Sequence, residues 1–176
     1  AALHGMGLFG LYAGDPASGA RLEEADRLWQ QCGIPRWRAF TLLVRTVEAS
    51  LRRDAETASA LAEAAVAVAR TTGEPWVIAL TQAHALVPCR LWARQWAEAD
   101  ALLGEAERVY RELAYTIGVA YVLDARAFTA LQVSEPDRAV RLAQASLRAE
   151  PTGQNRWLAG RSLRTLGAVL TARGAL

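Results

Sequence analysis

A constant shift of about 40 residues aligns the chain with itself, and no other feature of the sequence restricts the fold as strongly. Self-similarity at a fixed period of about 20 to 50 residues is the signature of a protein built from stacked repeats. Three columns of equivalent positions carry the match: Leu11, Leu51, Leu91 and Leu131; Gly7, Val47, Val87, Ala127 and Gly167; and Leu3, Leu43, Ala83, Leu123 and Leu163. The sequence therefore predicts an array of repeats, in which each unit buries its apolar face only against its neighbours.

Each period divides into two predicted helices joined by a short turn. Gly14 suits the left-handed end of a helix, and Pro16 and Pro136 suit the first turn of the next helix, where the missing N–H costs nothing. The predicted first helices are 1–13, 35–52, 75–93, 115–133 and 154–173. The predicted second helices are 17–31, 55–71, 97–113 and 137–149. The fold class that follows is an all-α, right-handed superhelical solenoid of antiparallel helix pairs, with about four and a half repeats.

The residue types inside these helices indicate how the repeats pack. Leu3, Gly7 and Leu11 lie four apart in the sequence, which predicts one buried stripe with a small residue where the partner helix comes close. Trp37, Trp76 and Trp157 sit at the start of first helices, and we expect them to fill the joints between repeats. The predicted repeats are 1–33, 34–73, 74–114 and 115–153, followed by a single terminal helix at 154–174, all within one repeat domain.

Composition excludes several classes of function. The 20 basic residues are all Arg and are balanced by 18 acidic residues, and neither charge forms a block. This distribution argues against a nucleic-acid-binding surface. A chain without Lys cannot form a P-loop, and no nucleophile elbow or metal-ligand motif is present, so we expect no enzyme activity, no cofactor and no metal. No apolar run approaches a membrane span. Two cysteines without a disulfide framework favour a reduced, cytoplasmic setting.

Several segments resemble tetratricopeptide (TPR) repeats. The stretches from Leu3 to Gly14 and from Leu163 to Gly174 look like the W-x-x-L-G-x-x-Y-x-x-x-G first helix of that family, with Leu in place of Trp. Trp96-Ala97-Glu98-Ala99 looks like the Y-x-E-A opening of its second helix. The resemblance covers essentially the whole chain, although Arg90 and Ala130 stand where an aromatic residue is typical. It implies a surface that binds protein or peptide partners.

The period of about 40 residues exceeds the roughly 34 residues that are usual in the family. This long variant is similar to the repeat domains of large bacterial transcriptional regulators that carry an ATPase module or a LuxR-type DNA-binding domain. The resemblance implies a regulatory, non-enzymatic segment of a larger signalling protein. The first residues lack both a Met start and a signal peptide, which predicts that the chain is a fragment of such a protein.

The candidate binding surface is the concave face lined by the first helices. At the constant shift its rungs are His4, Val44, His84, Asp124 and Arg164; Leu8, Glu48, Pro88, Phe128 and Ala168; and Tyr12, Arg52, Trp92, Gln132 and Ala172, preceded by Thr41, Thr81, Tyr121 and Arg161. The candidate site residues on it are Thr81, His84, Trp92, Tyr121, Asp124, Phe128, Gln132, Arg161 and Arg164. Adjacent repeats predict a contact between His84 and Asp124, and Pro88 should bend the helix that carries it.

Three kinds of partner remain open for this surface. The first is a peptide or a partner domain, which could be a flanking domain of the same chain. The second is an anionic or sugar-like effector, because Tyr121, Trp92 and Phe128 could stack on a ligand while Arg161 and Arg164 bind its charge. The third is an oligomer in which the array only serves as a scaffold. Leu163, Leu166 and Leu170 form an apolar stripe on the terminal helix, so the isolated fragment could form a dimer through that helix which the full protein does not form.

Overall fold

A computed structural model describes residues 1–149 and 156–172, and these residues are helical except for short turns. The first four helices are α1 (Ala2–Ala13), α2 (Ser18–Gln31), α3 (Pro35–Leu51) and α4 (Ala55–Thr71). The next are α5 (Pro75–Thr81), a π-helical turn (Gln82–Leu86) and α6 (Val87–Trp92). The last are α7 (Trp96–Glu112), α8 (Thr116–Gln132), α9 (Pro136–Ala149) and α10 (Arg156–Ala172). The predicted all-α repeat class is confirmed, whereas the predicted joint at 153–157 falls largely outside the described residues.

The chain forms two compact units, Ala1–Cys89 and Arg90–Leu176, which are described separately. In the first unit α1 packs on α2, α2 on α3, and α3 on α4, so consecutive helices are neighbours. The first helices of successive repeats also touch, because α1 contacts α3 and α3 contacts α5. In the second unit α7 packs on α8, α8 on α9 and α9 on α10, and α8 contacts α10. Each unit therefore repeats the same helix-pair arrangement.

The turns are closed by the main chain in one recurring geometry. The helices are followed by a residue in the left-handed region, namely Gly14, Gly33, Arg53, Gly73, Arg94, Ala114 and Ser134. In most of these turns the next amide N–H bonds to a carbonyl five residues earlier, as in Asp54 to Ala49 at 3.0 Å and Glu135 to Ala130 at 2.9 Å. This is the Schellman closure, which satisfies carbonyls at the end of a helix. Several of the left-handed residues are not glycine, so sequence alone did not mark these positions.

These left-handed residues also reveal an extra residue in the third repeat. Gly33 and Arg53 lie as far apart in sequence as Ala114 and Ser134, whereas Gly73 and Arg94 are separated by one residue more. The π-helical turn lies inside this longer span, and there the Val87 N–H bonds to the Gln82 carbonyl, five residues back. An i→i+5 bond holds one more residue per turn than an α-helix.

Pro88 is the second residue after this turn, following Val87. It has no N–H to offer the His84 carbonyl, which an α-helix would require at that position. The helix is irregular at this place and contains a π turn, while the predicted bend remains a prediction.

The predicted leucine stripe is only partly correct: Leu51 is out of register because Gly14 and Arg53 are one residue closer together than the constant shift requires, whereas Leu163 keeps the register of Leu123 and is nevertheless exposed. Gly7 and Leu123 are buried as expected, but Leu51 is 66% exposed and Leu163 is 60% exposed. On α3 the buried positions are instead occupied by small and medium side chains, namely Ala39, Thr41, Leu42, Val44, Thr46 and Ala49.

Candidate functional site

An apolar stripe lies on the exposed side of the first helices in each unit. Each first helix contributes two residues to it, and these stand six and two places before the left-handed residue that follows the helix. The two residues lie on one face of the helix because they are four apart in the sequence. The outer positions are the most exposed, with Tyr12 at 78%, Leu51 at 66% and Trp92 at 54%. The members are Leu8, Tyr12, Val47, Leu51, Pro88, Trp92, Phe128 and Gln132. Large apolar side chains therefore stay exposed at equivalent positions.

The register of this stripe corrects the predicted rungs. The constant shift placed Glu48 and Arg52 beside Leu8 and Tyr12, and this pairing is wrong. The left-handed residues Gly14 and Arg53 are one residue closer together than that shift requires, so Val47 and Leu51 take those positions instead. The surface in the first unit is consequently more apolar than the sequence predicted. Comparing the distances between turns, rather than sliding the whole sequence, would have found the change.

Polar and aromatic contacts tie α1 to α3 in the first unit. The Nδ1 atom of His4 lies 2.9 Å from the hydroxyl of Thr41, and the His4 ring meets Trp37 edge-on at 6.0 Å. Burial and the neighbouring N-terminal ammonium both lower the pKa of His4, which favours the neutral ring. Because these contacts hold two successive first helices together, the exposed residues of α1 and α3 belong to one surface.

An aromatic cluster spans the joints of the first unit. Trp37 stacks on Trp29 with ring centroids 6.1 Å apart and meets Phe40 edge-on at 5.7 Å, and Phe40 meets Trp76 at 5.8 Å. Trp37 remains 42% exposed and Trp76 36% exposed. The two tryptophans therefore fill the joints, as predicted, while one edge of each stays accessible. The side chain of Trp157 lies outside the described residues.

In the second unit, the structure brings Tyr121, Asp124 and Arg161 together. The Asp124 carboxylate is almost fully buried and accepts hydrogen bonds from the Arg161 Nε at 2.9 Å and from the Thr165 hydroxyl at 3.1 Å. The Arg161 guanidinium also lies over the Tyr121 ring, 5.0 Å from its centroid. Burial raises the pKa of Tyr121, which keeps its hydroxyl protonated. This cluster joins α8 to α10, and Arg161 already has an anion within the protein.

The other candidate residues of the second unit lie on its surface. Phe128 is 40% exposed and meets Trp96, not Trp92, edge-on at 6.4 Å. Trp92 and Gln132 are members of the apolar stripe, and Arg164 is exposed on α10. The predicted convergence of aromatic and Arg side chains is thus limited to Tyr121 and Arg161. The binding role of these residues remains a prediction.

Two candidate residues belong to the first unit. Thr81 is completely buried, and its hydroxyl donates to the Val77 carbonyl at 2.9 Å. Thr81 therefore lies inside the helix packing and offers no surface to a ligand, in contrast to the prediction. His84 lies in the π-helical turn and is half-buried. Its predicted contact with Asp124 remains a prediction.

The sequence did not reveal a recurring ion pair between repeats. Arg45 on α3 donates to Asp26 on α2 at 3.0 Å, and Arg126 on α8 donates to the nearly buried Glu107 on α7 at 2.5 Å. Both Arg residues stand eight places before their left-handed residue, so the two pairs are equivalent. Each pair links a second helix to the next first helix. Their partial burial and mutual neutralisation identify them as structural contacts, and not as a binding site.

An apolar cavity of about 320 Å³ lies between α1 and the end of α2. Its lining residues are Ala1, Ala2, Leu3, Ala25, Leu28, Trp29 and Cys32. The Trp29 Nε1 is buried and has no hydrogen-bond partner.

Two negative observations apply to residues 1–149 and 156–172. No group of three or more His, Cys, Asp or Glu side chains in this part of the chain could hold a metal ion. No helix there is long and apolar enough to cross a membrane.

Two solved structures share this fold over almost the whole chain. They are the nearly identical TPR-like repeats of a kinesin light chain-like protein from Podosopora anserina and a variant of the same protein, with TM-scores of 0.75 and 0.76. Both are 15% identical to this chain, and each match covers 99% of this chain and 86% of the other. No protein-family model matches the chain, and no curated protein is similar to it in sequence. The chain is therefore a helical-repeat protein with a TPR-like fold.

Proposed function

We propose that the chain is a non-enzymatic interaction module that binds a peptide or a segment of a partner protein on its first-helix face. The observation that carries this proposal is the apolar stripe, in which Tyr12, Leu51 and Trp92 remain more than half exposed at equivalent positions. Neighbouring apolar side chains that stay exposed mark interaction surfaces, because each loses contact with water when a partner covers it. In the first unit, the binding surface would be formed by Leu8, Tyr12, Val47 and Leu51.

The chemistry of the stripe favours an apolar or aromatic peptide over a charged ligand. The members of the stripe in α1 and α3 carry no charge, and an apolar surface of this kind suits the apolar side of a bound peptide. A small anionic effector is less well supported, because Arg161 already pairs with Asp124. If such an effector binds, the second unit is its place, beside Tyr121 and Arg164.

The resemblance stated from the sequence supports a wider context for the module. A repeat period of about 40 residues is similar to that of the repeat domains of large bacterial regulators, so we propose that the chain acts inside such a cytoplasmic signalling or transcriptional protein. Partner binding would regulate the larger protein by favouring one of two conformations, which requires different affinities for the two. Sequencing outward from the coding region tests this context, since it predicts an adjoining ATPase or DNA-binding module.

The binding proposal is tested by selecting peptides from a random displayed library on the immobilised chain and measuring their affinity by fluorescence anisotropy. We expect selected peptides to be rich in apolar residues and to lose about tenfold or more in affinity on Leu51→Ser. Leu113→Ser is the matched control, because Leu113 is 52% exposed but follows a second helix. Peptides that bind Leu51→Ser and Tyr12→Ser as tightly as the unchanged protein would contradict the proposed surface.

A further inference from the structure

Two arginines occupy left-handed backbone positions just beyond exposed members of the apolar stripe. Arg53 follows Leu51 by two residues and has a φ of 60°, and Arg94 follows Trp92 by two residues and has a φ of 57°. A non-glycine residue at a positive φ is strained, and glycine is the residue that adopts such a conformation at the lowest cost. The geometry of the turns therefore does not account for arginine at these two places.

The turns after the second helices show that the fold accepts small residues at left-handed positions. In the described part of the chain, the left-handed residues of those turns are Gly33, Gly73 and Ala114. Both arginines at left-handed positions instead follow helices that carry the stripe. Strained residues of this kind persist where the side chain has a function.

In the first unit, the charge of Arg53 is not neutralised by the protein. The Arg53 side chain is exposed and forms no ion pair with any residue that the structure describes. The acidic residues close to it in the sequence are engaged with other groups. Glu48 pairs with Arg52 at 3.4 Å, and the Asp54 carboxylate accepts a hydrogen bond from the Thr57 N–H at 3.0 Å. A positive charge therefore remains available at this end of the stripe.

The second unit repeats this arrangement at Arg94. The Arg94 side chain is exposed, and it likewise pairs with none of the described residues. The carboxylate of Glu98 instead accepts a hydrogen bond from the Arg90 Nε at 2.7 Å, and the residue that follows Arg94 is the neutral Gln95. Each unit therefore carries a large exposed apolar side chain and, two residues later, a guanidinium without a counterion.

We propose that Arg53 and Arg94 select a partner segment in which an Asp or Glu side chain stands beside an apolar anchor residue. The inference rests on the proposed function, because it concerns the partner of the same stripe. Two residues span at most about 7 Å of chain, so an anchor that covers Leu51 brings its neighbours in the peptide close to Arg53. The planar guanidinium then binds the carboxylate through charge-assisted hydrogen bonds.

The contribution of these arginines concerns selectivity more than total affinity. An ion pair at the exposed end of the stripe stays in contact with water and adds little binding free energy. Charges at the rim of an interface mainly raise the association rate and exclude partners of the same charge. The apolar contacts with the stripe supply the larger part of the binding, and the arginines decide which apolar segments bind.

The test repeats the displayed-library selection on the double variant Arg53→Gly/Arg94→Gly. Glycine fits both turns, so this variant is expected to unfold at the same temperature as the unchanged chain or at a higher one. Peptides selected on the unchanged chain should carry Asp or Glu beside their apolar residues. Peptides selected on the double variant should lack this enrichment.

One acidic peptide from the first selection, synthesised with a C-terminal amide, provides the affinity measurement. Its Kd by fluorescence anisotropy should rise about threefold or more on the double variant. An analogue with Gln or Asn in place of the acidic residues should bind both proteins equally. An increase in NaCl from about 50 mM to about 500 mM should weaken binding of the acidic peptide and leave the analogue unchanged.

Two matched controls separate the charge from the backbone. Arg70→Gln removes an exposed arginine from the last turn of the second helix α4, and Ala114→Gly places glycine in the left-handed turn after α7. Both variants should bind the acidic peptide as tightly as the unchanged chain. Equal weakening by Arg70→Gln would show a general effect of net charge and would overturn the inference.

The outcomes distinguish this inference from the proposed function. Peptides that require Leu51 but carry no acidic residue, or that bind the double variant as tightly as the unchanged chain, overturn the inference and leave the stripe as the binding surface. Binding that disappears when the C-terminus is amidated also overturns it. Peptides that are unaffected by Leu51→Ser overturn the proposed function, and the inference with it.

Discussion

Asp124 on α8 and Arg161 on α10 form an ion pair in which the Arg161 Nε lies 2.9 Å from the Asp124 Oδ2. The Asp124 side chain is 2% exposed, whereas that of Arg161 is 23% exposed. The carboxylate has therefore lost its water and depends on Arg161 and Thr165 for hydrogen bonds. The pair fastens the last described helix to the rest of its unit, and this role makes it a stability determinant.

Replacing Asp124 with Asn should lower the free energy of unfolding by about 2 kcal/mol, because Arg161 would lose the charge that compensates its burial. The expected loss is below that of a fully buried pair, since Arg161 remains partly exposed. Urea denaturation followed by circular dichroism gives the measurement. Glu112→Gln serves as control, because the Arg108–Glu112 pair is exposed and should contribute less than about 0.5 kcal/mol. Equal effects of the two substitutions would contradict this account.

Replacing Tyr110 with Phe should raise the stability of the protein. The Tyr110 side chain is fully buried, and its hydroxyl has no hydrogen-bond partner. Removing a buried, unpaired hydroxyl is expected to stabilise the fold by about 1 kcal/mol, because the desolvation penalty disappears while the ring contact with Tyr115 at 5.3 Å remains. Tyr115→Phe, at a partly exposed position, should have little effect. Thermal unfolding of both variants decides the matter.

The same tyrosine predicts a difference at alkaline pH. Burial raises the pKa of Tyr110 above its ordinary value of 10. Above pH 10 the unfolded chain releases this proton and the folded chain does not, so the unchanged protein loses stability as the pH rises. The contribution is at most about 1.4 kcal/mol per pH unit. Tyr110→Phe should lack this part of the loss, which denaturation series at pH 9 to pH 11 would reveal as a shallower decline. Parallel curves would exclude the assignment.

Two glycines on α1 should respond to alanine in opposite directions. A Cβ atom on Gly7 would lie 2.6 Å from the Leu22 Cγ of α2, whereas one on Gly5 would meet nothing within 4 Å. Gly7→Ala is therefore expected to destabilise the fold by about 2 kcal/mol through overpacking. Gly5→Ala should stabilise it by about 1 kcal/mol, because Ala loses less backbone entropy in a helix. Differential scanning fluorimetry of the two variants measures the change in melting temperature. Changes of the same sign in both variants would refute the close contact of Gly7 with Leu22 on α2.

The left-handed turn residues provide a second matched pair. Ala114 has a φ of 52° and Gly73 a φ of 67° at equivalent turns between repeats. Ala114→Gly should relieve about 1 kcal/mol of backbone strain, and Gly73→Ala should introduce a similar amount, since no neighbouring atom crowds that position. Urea denaturation would measure both changes. A destabilised Ala114→Gly variant would indicate that the turn is not left-handed.

The helix-pair architecture could be predicted from the sequence because the period, the prolines at helix starts and the small residues all agree. The register of the exposed apolar stripe did not follow from a constant period. Pro88 indicated a disturbance, but only the π-helical turn shows that one extra residue is absorbed between Gly73 and Arg94. A shift of one residue on a helix turns a side chain by about 100°. Because Arg53 is one residue too close to Gly14 and one residue too far from Arg94 for the constant shift, the predicted rungs contained Glu48 and Arg52, where the exposed stripe has Val47 and Leu51.

Tyr121 and Arg161 share a rung at the constant shift, and their side chains are in contact in the structure, while their binding role stays a prediction. Thr81 was predicted on the surface because its side chain is polar. Its hydroxyl instead donates a hydrogen bond to a carbonyl of its own helix, so the side chain can be buried, which the pattern of polar residues does not reveal. Asp124 was expected in an open groove, and its burial depends on the Arg161 and Thr165 partners that arrive from another helix. The repeat pattern of a single sequence does not reveal such contacts between helices.

The closure of the turns by main-chain atoms has a consequence for how such a chain can change over generations. The amide N–H groups of Asp54 and Glu135 each donate a hydrogen bond to a carbonyl five residues earlier. They do so although the left-handed residues before them differ, being Arg53 and Ser134. Duplicated segments can therefore exchange almost every side chain at a turn and still keep the same main-chain closure before the next helix. If the repeats descend from one ancestral unit, the distances between turns would stay similar after the residues at those turns had diverged.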